Sequence, residues 1–378
     1  MMARIWQIKW EHLLLRDTTT KLAIFRFSLF FVGLMTFSAS LHAQEKWRDL
    51  PLLGFPVGGY TPETGWGIGA AASYHFRVNA DSLTPISQVQ LGFVVTQKNQ
   101  QIFSLPFNVY SAQRKHQYYG EATYSNYHYY FFGTVRYPQD VKEKYHSRYS
   151  RVRMNYLHKI HSHVFLGARW WFEELQFKDR AANGKLIEGK LSGAIGGVSS
   201  GPGLILLVDS RDHLYYSTKG HYFEGVAQTH SSITGSDFFY ERLRADYRFF
   251  SPINSKWTFA TQLFADLTWG NTPFFMMPGI GGEKRMRGYY EGEVRDEQLL
   301  LAQAEFRYRP IDRWAFTGFA HSAMVGFNLL HGANRTQKWA AGAGVRYFFD
   351  KKNRMTIRLD AAYNGKNILP YLSVGEAF

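Results

Sequence analysis

Residues 281–292 form a glycine-rich stretch that contains more charge than an exposed loop needs. It reads Gly-Gly-Glu-Lys-Arg-Met-Arg-Gly-Tyr-Tyr-Glu-Gly and starts at Gly281 and Gly282. Glycine adopts positive φ at little cost, so the backbone can turn sharply at these positions. A buried guanidinium must be paired, and its five donors suit a carboxylate. We therefore expect a loop that folds back and docks inside the protein.

Other residues capable of chemistry do not form a recognisable catalytic or metal site. The chain contains neither the His-Glu-x-x-His motif of metalloproteases nor the full phosphate-binding motif, in which Gly-x-x-x-x-Gly-Lys is followed by serine or threonine. His158, His161 and His163 flank a predicted tight turn, where exposed histidines are more common than metal ligands. His321 and Ser322 are neighbours in a predicted strand, so their side chains point to opposite faces. We predict no enzymatic activity, no metal site and no cofactor.

The elements that position these residues alternate with period two, which is typical of β-strands with one apolar face. Between residues 242 and 249, for example, leucine, alanine, tyrosine and phenylalanine alternate with three arginines and an aspartate. The pattern predicts sixteen strands, at residues 52–58, 65–77, 86–96, 100–111, 117–126, 148–160, 163–174, 201–209, 219–229, 237–250, 256–269, 295–309, 313–327, 338–349, 354–363 and 369–378.

The composition and the charged strand faces indicate a barrel in a membrane. Aromatic residues make up 17% of the chain, and aromatics are enriched in strands and at membrane interfaces. In a transmembrane β-barrel one strand face meets lipid and the other meets a polar lumen. We predict an all-β, 16-stranded antiparallel transmembrane barrel with an inward-folded sixth extracellular loop.

The predicted connections alternate in length. The long connections, 127–147, 175–200, 270–294 and 328–337, all follow odd-numbered strands, whereas most of the others are tight. Bacterial outer-membrane barrels have long extracellular loops and short periplasmic turns. We therefore expect both termini to be periplasmic, in the outer membrane of a Gram-negative type of cell.

The N-terminal segment resembles a secretory signal. Residues 1–26 are polar and basic, residues 27–37 are apolar, and small residues precede a plausible cleavage site after Ala43. The predicted domains are a signal peptide at residues 1–43 and an outer-membrane β-barrel domain at residues 44–378.

The net charge of +14 has two alternative interpretations. Nucleic-acid binding is excluded as a prediction, because the basic residues are spread along the chain and no binding module is present. On the predicted lumen face, the arginines either attract anions or pair with lumen carboxylates, and pairing is favoured. These arginines are Arg151, Arg153, Arg242, Arg244, Arg248, Arg307, Arg346 and Arg358.

Four landmarks, in order, resemble the BamA/TamA-type outer-membrane assembly superfamily, also called the bacterial surface antigen family. Its Asp-x-Arg-Asp periplasmic turn is similar to Asp209, Arg211 and Asp212, with Gly220 eight residues later. Its sixth-loop motif is similar to Gly281, Gly282, Arg287, Gly288 and Tyr289. Its last two strands are similar to residues 358–360 and 374–378. The family's periplasmic POTRA domains have no counterpart in the sequence, so we expect a barrel-only member.

The resemblance implies that Arg287 is buried in the lumen and paired with groups on the strands that follow the loop. The family has an aspartate in the next but one strand, and His321 stands at that position here. Either Asp360 or Glu305 takes its place, or the loop docks more weakly, or His321 accepts the arginine while neutral.

The first and last predicted strands meet at a seam that is weak in composition. The first contains Pro56, Gly58 and Gly59, and the last contains Pro370 and Gly375. Because proline cannot donate to a ladder, few hydrogen bonds are expected there. The resemblance implies a lateral gate at this seam, and ordinary fraying of the barrel end is the alternative. Phe378 provides the terminal aromatic that such barrels present to the insertion machinery.

Two functions remain open from the sequence. The first is help with protein insertion or translocation at the outer membrane, by opening the seam. The alternative is a passive pore or solute channel with a basic lumen. The expected partners are outer-membrane lipid and the cell's barrel-assembly machinery during insertion of this chain, with a separate periplasmic chain as a further candidate.

Overall fold

The computed structural model describes residues 52–78, 84–136, 138–182, 184–188, 190–329, 334–351 and 353–378. The predicted signal peptide and the first residues of the predicted barrel domain lie outside this part. Within it, no helix is long and apolar enough to cross a membrane.

Sixteen antiparallel strands close into one barrel, and each pairs with its neighbours along the chain. The barrel strands are β1 (Leu52–Thr61), β2 (Gly65–Phe76), β3 (Ser87–Thr96), β4 (Gln101–Tyr110), β5 (His116–Gly133), β6 (Pro138–His161), β7 (Val164–Asp179), β8 (Gly197–Asp209), β9 (Gly220–His230), β10 (Tyr240–Pro252), β11 (Trp257–Gly270), β14 (Gln298–Ile311), β15 (Trp314–Gly326), β16 (Arg335–Asp350), β17 (Met355–Tyr363) and β18 (Ile368–Val374). Between β11 and β14, the short strands β12 (Gly279–Ile280) and β13 (Val294–Arg295) form a separate hairpin. The connection that contains this hairpin, residues 271–297, is called loop six below.

The two faces of the barrel wall explain the alternating sequence. On β10, the Leu243 side chain is 46% exposed, whereas Arg242 and Arg244 are 7% and 9% exposed. Arg244 forms an ion pair with Asp266 on β11 at 2.8 Å. Apolar residues thus cover the outside, and paired charges fill the inside, as expected for a barrel surrounded by lipid.

All sixteen predicted strands are present, but their boundaries are wrong at three places along the chain. The predicted loop 127–147 is mostly strand, because β5 continues to Gly133 and β6 starts at Pro138. This extension is rich in tyrosine and phenylalanine, and Phe131 is buried against Phe274 of loop six. Strand β7 similarly runs on to Asp179, into the predicted loop 175–200.

The third wrong boundary is the C-terminal end of the barrel. The predicted strand 369–378 ends at Val374, because Gly375 adopts φ +82° and turns the chain away from the wall. Phe378 is therefore not on a strand. It is buried against Phe250 and Ala260, and its carbonyl oxygen accepts a hydrogen bond from Arg307.

Candidate functional site

The backbone of loop six is tightly folded around its glycines. Gly281 has φ +110° and Gly282 has φ +82°. The amide of Gly281 donates to the carbonyl of Arg285 at 3.0 Å, and the amide of Gly282 donates to the carbonyl of Tyr289 at 3.1 Å. A Cβ at position 281 would lie 1.9 Å from the carbonyl oxygen of Tyr290. Only glycine fits here, so the sequence determines this turn locally.

Arg287, at the centre of the motif, is fully buried and contacts three different strands. One terminal nitrogen donates to Glu305 on β14, and the other donates to Asp360 on β17. The guanidinium also lies over the Phe319 ring on β15, with Cζ 3.7 Å from the ring centroid. The structure thus brings Arg287 together with both carboxylates that the sequence offered as alternatives.

These contacts belong to a larger charge network on the inner face. Glu305 also binds Arg307 at 2.8 Å, and Asp360 also binds Arg346. Four guanidinium groups and four carboxylates take part, so the network is neutral as a whole. They are Arg287, Arg307, Arg346, Arg358, Glu283, Glu305, Asp360 and Glu376. Buried charges are stable only when they are matched in this way.

His321 does not act as a partner of the loop arginine. Its side chain is 4% exposed, and neither ring nitrogen has a hydrogen-bond partner among the described residues. The imidazole packs against Phe319, with ring centroids 5.0 Å apart. The two carboxylates already accept both terminal nitrogens of Arg287, so the loop is held without this histidine.

The rest of the motif ties loop six to the last strands of the barrel. The Gly288 amide donates to the hydroxyl of Tyr371 on β18 at 2.9 Å, and its carbonyl accepts from Asn364 at 2.7 Å. Tyr289 donates from its hydroxyl to the carbonyl of Trp339 on β16 at 3.0 Å. Tyr371, which the sequence patterns do not single out, links the loop directly to the strand at the seam.

The tip of loop six also contacts the turn between β1 and β2. The Glu63 carboxylate accepts a hydrogen bond from the Glu291 amide at 2.8 Å, and the Tyr129 hydroxyl donates to the Glu291 carbonyl. Burial, together with the nearby Glu291 carboxylate, raises the pKa of Glu63 to about 6, although hydrogen bonds to backbone amides oppose this shift. Loop six therefore contacts both sides of the seam, through β18 on one side and through the turn after β1 on the other.

The raised pKa of Glu63 predicts a pH-dependent stability of this contact. The folded state favours the protonated form of Glu63. The contribution of this group to stability is therefore complete below its pKa in the unfolded chain, and it is lost as the pH rises through about 6, its pKa in the folded chain. Glu63→Gln, which mimics the protonated form, should stabilise the barrel by up to about 2 kcal/mol at pH 7.5. At pH 4 it should have little effect. Urea unfolding at both pH values measures this difference, and equal effects at both would contradict the assignment.

The seam between β1 and β18 is the weakest junction of the wall. Every residue of β1 pairs with β2, whereas β1 and β18 pair only at Tyr60 and Leu372. At Gly59, a Cβ would lie 2.8 Å from the carbonyl oxygen of Leu372, so a larger residue would push the strands apart. Pro56 lies within β1 and Gly58 directly precedes this close approach. The two seam strands therefore approach closely at Gly59 and Leu372 but share few ladder hydrogen bonds.

The C-terminal residues after the seam strand are anchored inside the barrel. Glu376 binds Arg346 at 3.0 Å and accepts a hydrogen bond from Thr356 at 2.9 Å. Gly375 provides the turn that permits this path. The departure of Glu376 from strand alternation is the sequence signal that could have located the end of β18.

The charged residues of the predicted periplasmic turn are held by ion pairs and hydrogen bonds. Asp209 accepts two hydrogen bonds from the Arg211 guanidinium, at 2.9 and 3.1 Å. Asp212 pairs with Arg354 at 2.7 Å. Burial opposes ionisation of Asp212, but hydrogen bonds from the following turn and the Arg354 charge outweigh it and lower the pKa to about 2. Gly220 has φ +108°, and a Cβ there would lie 2.3 Å from the Ser210 carbonyl oxygen.

Residues 197–201 match the Gly-x-Ser-x-Gly spacing of serine hydrolases, but their context differs. That motif requires a sharp strand-to-helix turn that exposes the serine. Here the residues lie at the start of β8, and Ser199 is fully buried. Its hydroxyl contacts His230 at 3.1 Å and Tyr240 at 2.8 Å. A serine without access to a substrate does not make a hydrolase site.

The histidines of the predicted β6–β7 turn do not converge on a metal site. His158 faces His116 across the β5–β6 ladder, and their Nδ1 atoms are 3.4 Å apart. Among the described residues, no group of three or more histidine, aspartate or glutamate side chains could hold a metal ion.

Comparisons with known proteins agree with this architecture. The family model described as the Omp85 superfamily domain matches residues 63–350. No curated protein sequence matches the chain. Among solved structures, BamA from Haemophilus ducreyi lacking POTRA domains 1–3 aligns with a TM-score of 0.59 and 13% identity, over 86% of this chain and 70% of that one.

Two further solved structures are similar. CdiB from Acinetobacter baumannii aligns with a TM-score of 0.54 and 14% identity, over 86% of this chain and 60% of that one. CdiB from Escherichia coli aligns with a TM-score of 0.59 and 10% identity, over 87% of this chain and 63% of that one. At these identities the likeness shows the fold alone, and the chain spans less than two thirds of either CdiB chain.

Proposed function

The chain belongs to the Omp85 superfamily, and we propose that it assists the insertion or translocation of proteins at the outer membrane through the seam between β1 and β18. The observation that carries this proposal is the single paired position, Tyr60 with Leu372, that closes the wall there. A strand of a client protein needs free backbone donors and acceptors to pair with. Separating β1 from β18 would provide them at a small cost in ladder hydrogen bonds.

Loop six is the element that would control the seam in this proposal. Through Gly288 it contacts Tyr371 on β18, and through Glu291 it contacts Glu63 beside β1. Arg287 anchors the same loop to β14 and β17, which lie on one side of the seam. The loop can therefore hold β18 with the rigid wall while the contact at Glu63 is released, so that β1 moves.

The orientation and the partners are part of the same proposal. With loop six extracellular, both ends of the barrel domain lie on the periplasmic side. The periplasmic face would then include the turn at Asp209–Asp212 and would be the place where a separate periplasmic chain could deliver a client. No nucleic acid and no cofactor take part.

The function is tested directly with the purified chain in liposomes. A small urea-unfolded β-barrel protein is diluted into liposomes that contain the chain, and its insertion is followed by heat-modifiable gel migration. We expect insertion at least several-fold faster than into liposomes without the chain. The matched control contains the same amount of an unrelated folded barrel, which corrects for general disturbance of the lipid. Insertion no faster than this control would contradict the proposal.

The second candidate function is a passive pore, which the arginine-rich lumen favours. Measurements of conductance distinguish it from the first candidate. Loop six and the C-terminal residues occupy the inner face through Arg287 and Phe378. We therefore expect small and intermittent currents in a planar lipid bilayer. Release of the loop by Arg287→Ala should enlarge them. A large, stable open conductance of the unchanged chain would favour the pore and contradict a plugged barrel.

A further inference from the structure

One region of the inner face carries more positive than negative charge. Counted over the described residues, six guanidinium groups meet four carboxylates there, in contrast to the neutral network around Arg287. The arginines are Arg151, Arg153, Arg169, Arg242, Arg244 and Arg285, and the carboxylates are Glu121, Glu173, Glu224 and Asp266. The nearby Asp246 is already paired with Arg248 at 2.6 Å. An excess of two positive charges remains on this part of the wall.

Two aromatic rings hold these arginines together. The Trp171 ring on β7 has the guanidinium carbons of Arg153 and Arg244 within 5.7 and 5.1 Å of its centroid. The Phe264 ring on β11 has those of Arg244 and Arg285 within 5.8 and 4.0 Å. The rings thus bring together cations from β6, β10 and loop six, although like charges repel. We call Arg153, Arg169, Arg244, Arg285 and Trp171 the arginine cluster.

The arginine cluster contains donors that lack acceptors. Trp171 is 4% exposed and Arg169 is 3% exposed. Yet, within the described part of the chain, no hydrogen-bond partner is present for the indole nitrogen of Trp171, one terminal nitrogen of Arg169 and Nε of Arg153. The Arg285 side chain is only partly buried, and among the described residues it lies over the Phe264 ring but pairs with no carboxylate. Arg244 shares the single carboxylate of Asp266 with Arg242. Buried donors without acceptors are costly, and every unmet group here is a donor.

We propose that the arginine cluster binds a phosphate-type oxyanion inside the barrel. Such an anion has several acceptor oxygens in a compact space, and guanidinium forks bind it through paired hydrogen bonds. It would balance the two excess charges and accept from Trp171, Arg169 and Arg285. The anion is either free phosphate or the phosphate of a lipid head group, because both present the same oxygens. This site is independent of the proposed seam function.

The test uses the full chain, folded and purified in an uncharged detergent. Inorganic phosphate is titrated by calorimetry at constant ionic strength, with glycerol phosphate as a head-group probe and glycerol as its neutral control. We expect one saturable site per barrel for a phosphate-bearing probe and none for glycerol. Tighter binding of glycerol phosphate than of inorganic phosphate would identify a lipid head group as the source, and the reverse would identify free phosphate.

Variants assign the binding to the cluster. Arg285→Gln should weaken it about tenfold or more, because one charge-assisted contact is lost. Trp171→Phe removes a single donor, should weaken it several-fold, and keeps the test decisive if Arg285→Gln does not fold. Arg335→Gln removes the same charge at an exposed position and should leave binding unchanged. No saturable binding of either phosphate probe to the folded chain, or equal affinity in Arg285→Gln and the unchanged chain, would overturn the proposal.

Discussion

Replacing Arg287 by alanine is expected to destabilise the barrel by about 3–5 kcal/mol, because it breaks a buried ion-pair network from one side. Glu305 and Asp360 would each lose a donor while remaining fully buried. The guanidinium also packs on Phe319, so a cavity forms as well. Urea unfolding in detergent, followed by heat-modifiable gel migration, measures the loss. Increased protease cleavage within loop six should accompany it.

A double-mutant cycle separates the ion pair from general damage to the loop. Asp360→Asn keeps the shape of the side chain and removes its charge, which leaves Arg287 and Arg346 short of a partner. In that background, Arg287→Ala should cost clearly less than it does alone, because the interaction is already weakened. Arg335→Ala serves as the exposed control and should change stability by less than about 0.5 kcal/mol. Unchanged gel migration and protease resistance of Arg287→Ala would contradict the docked loop.

The alternating pattern of the sequence predicts the barrel well, because it reflects the two environments of a strand, lipid on one face and a polar lumen on the other. An apolar outside and a polar or charged inside alternate along the strands, most clearly on β10 and β11. The sixteen-stranded closed sheet and the family resemblance are both confirmed. The signal stops at the membrane boundary, where both faces of a strand meet similar surroundings. For this reason the extensions of β5 and β6 were predicted as a loop.

The site could be predicted only in part. The glycines of loop six are visible in the sequence because the turn requires them, and the family resemblance singles out Arg287. The partners depend on which strands the loop reaches, and this follows from the register of β14 and β17 and from the path of the loop. Spacing along the chain therefore left Glu305, Asp360 and His321 as alternatives. Glu63 and Tyr371 were missed because single hydrogen bonds to loop backbone leave no pattern in the sequence.

Locking the seam is expected to abolish the proposed assembly activity, since a client could no longer pair with β1 or β18. Tyr60→Cys with Leu372→Cys places the two thiols at the one paired position of the seam. The chain has no other cysteine, so no competing disulfide can form. Gly58→Cys with Ile68→Cys is the matched control, because it introduces the same bond between β1 and β2. Both variants should fold as closed barrels.

The most direct measurement of the proposed seam opening is the liposome insertion rate of the two double-cysteine variants, oxidised and then reduced. We expect insertion of the unfolded client with the oxidised seam variant to be no faster than into protein-free liposomes, and a reductant to restore the rate. The β1–β2 control should remain active in both states. Full activity of the oxidised seam variant, with the disulfide verified by gel mobility, would contradict a function that depends on separating β1 from β18.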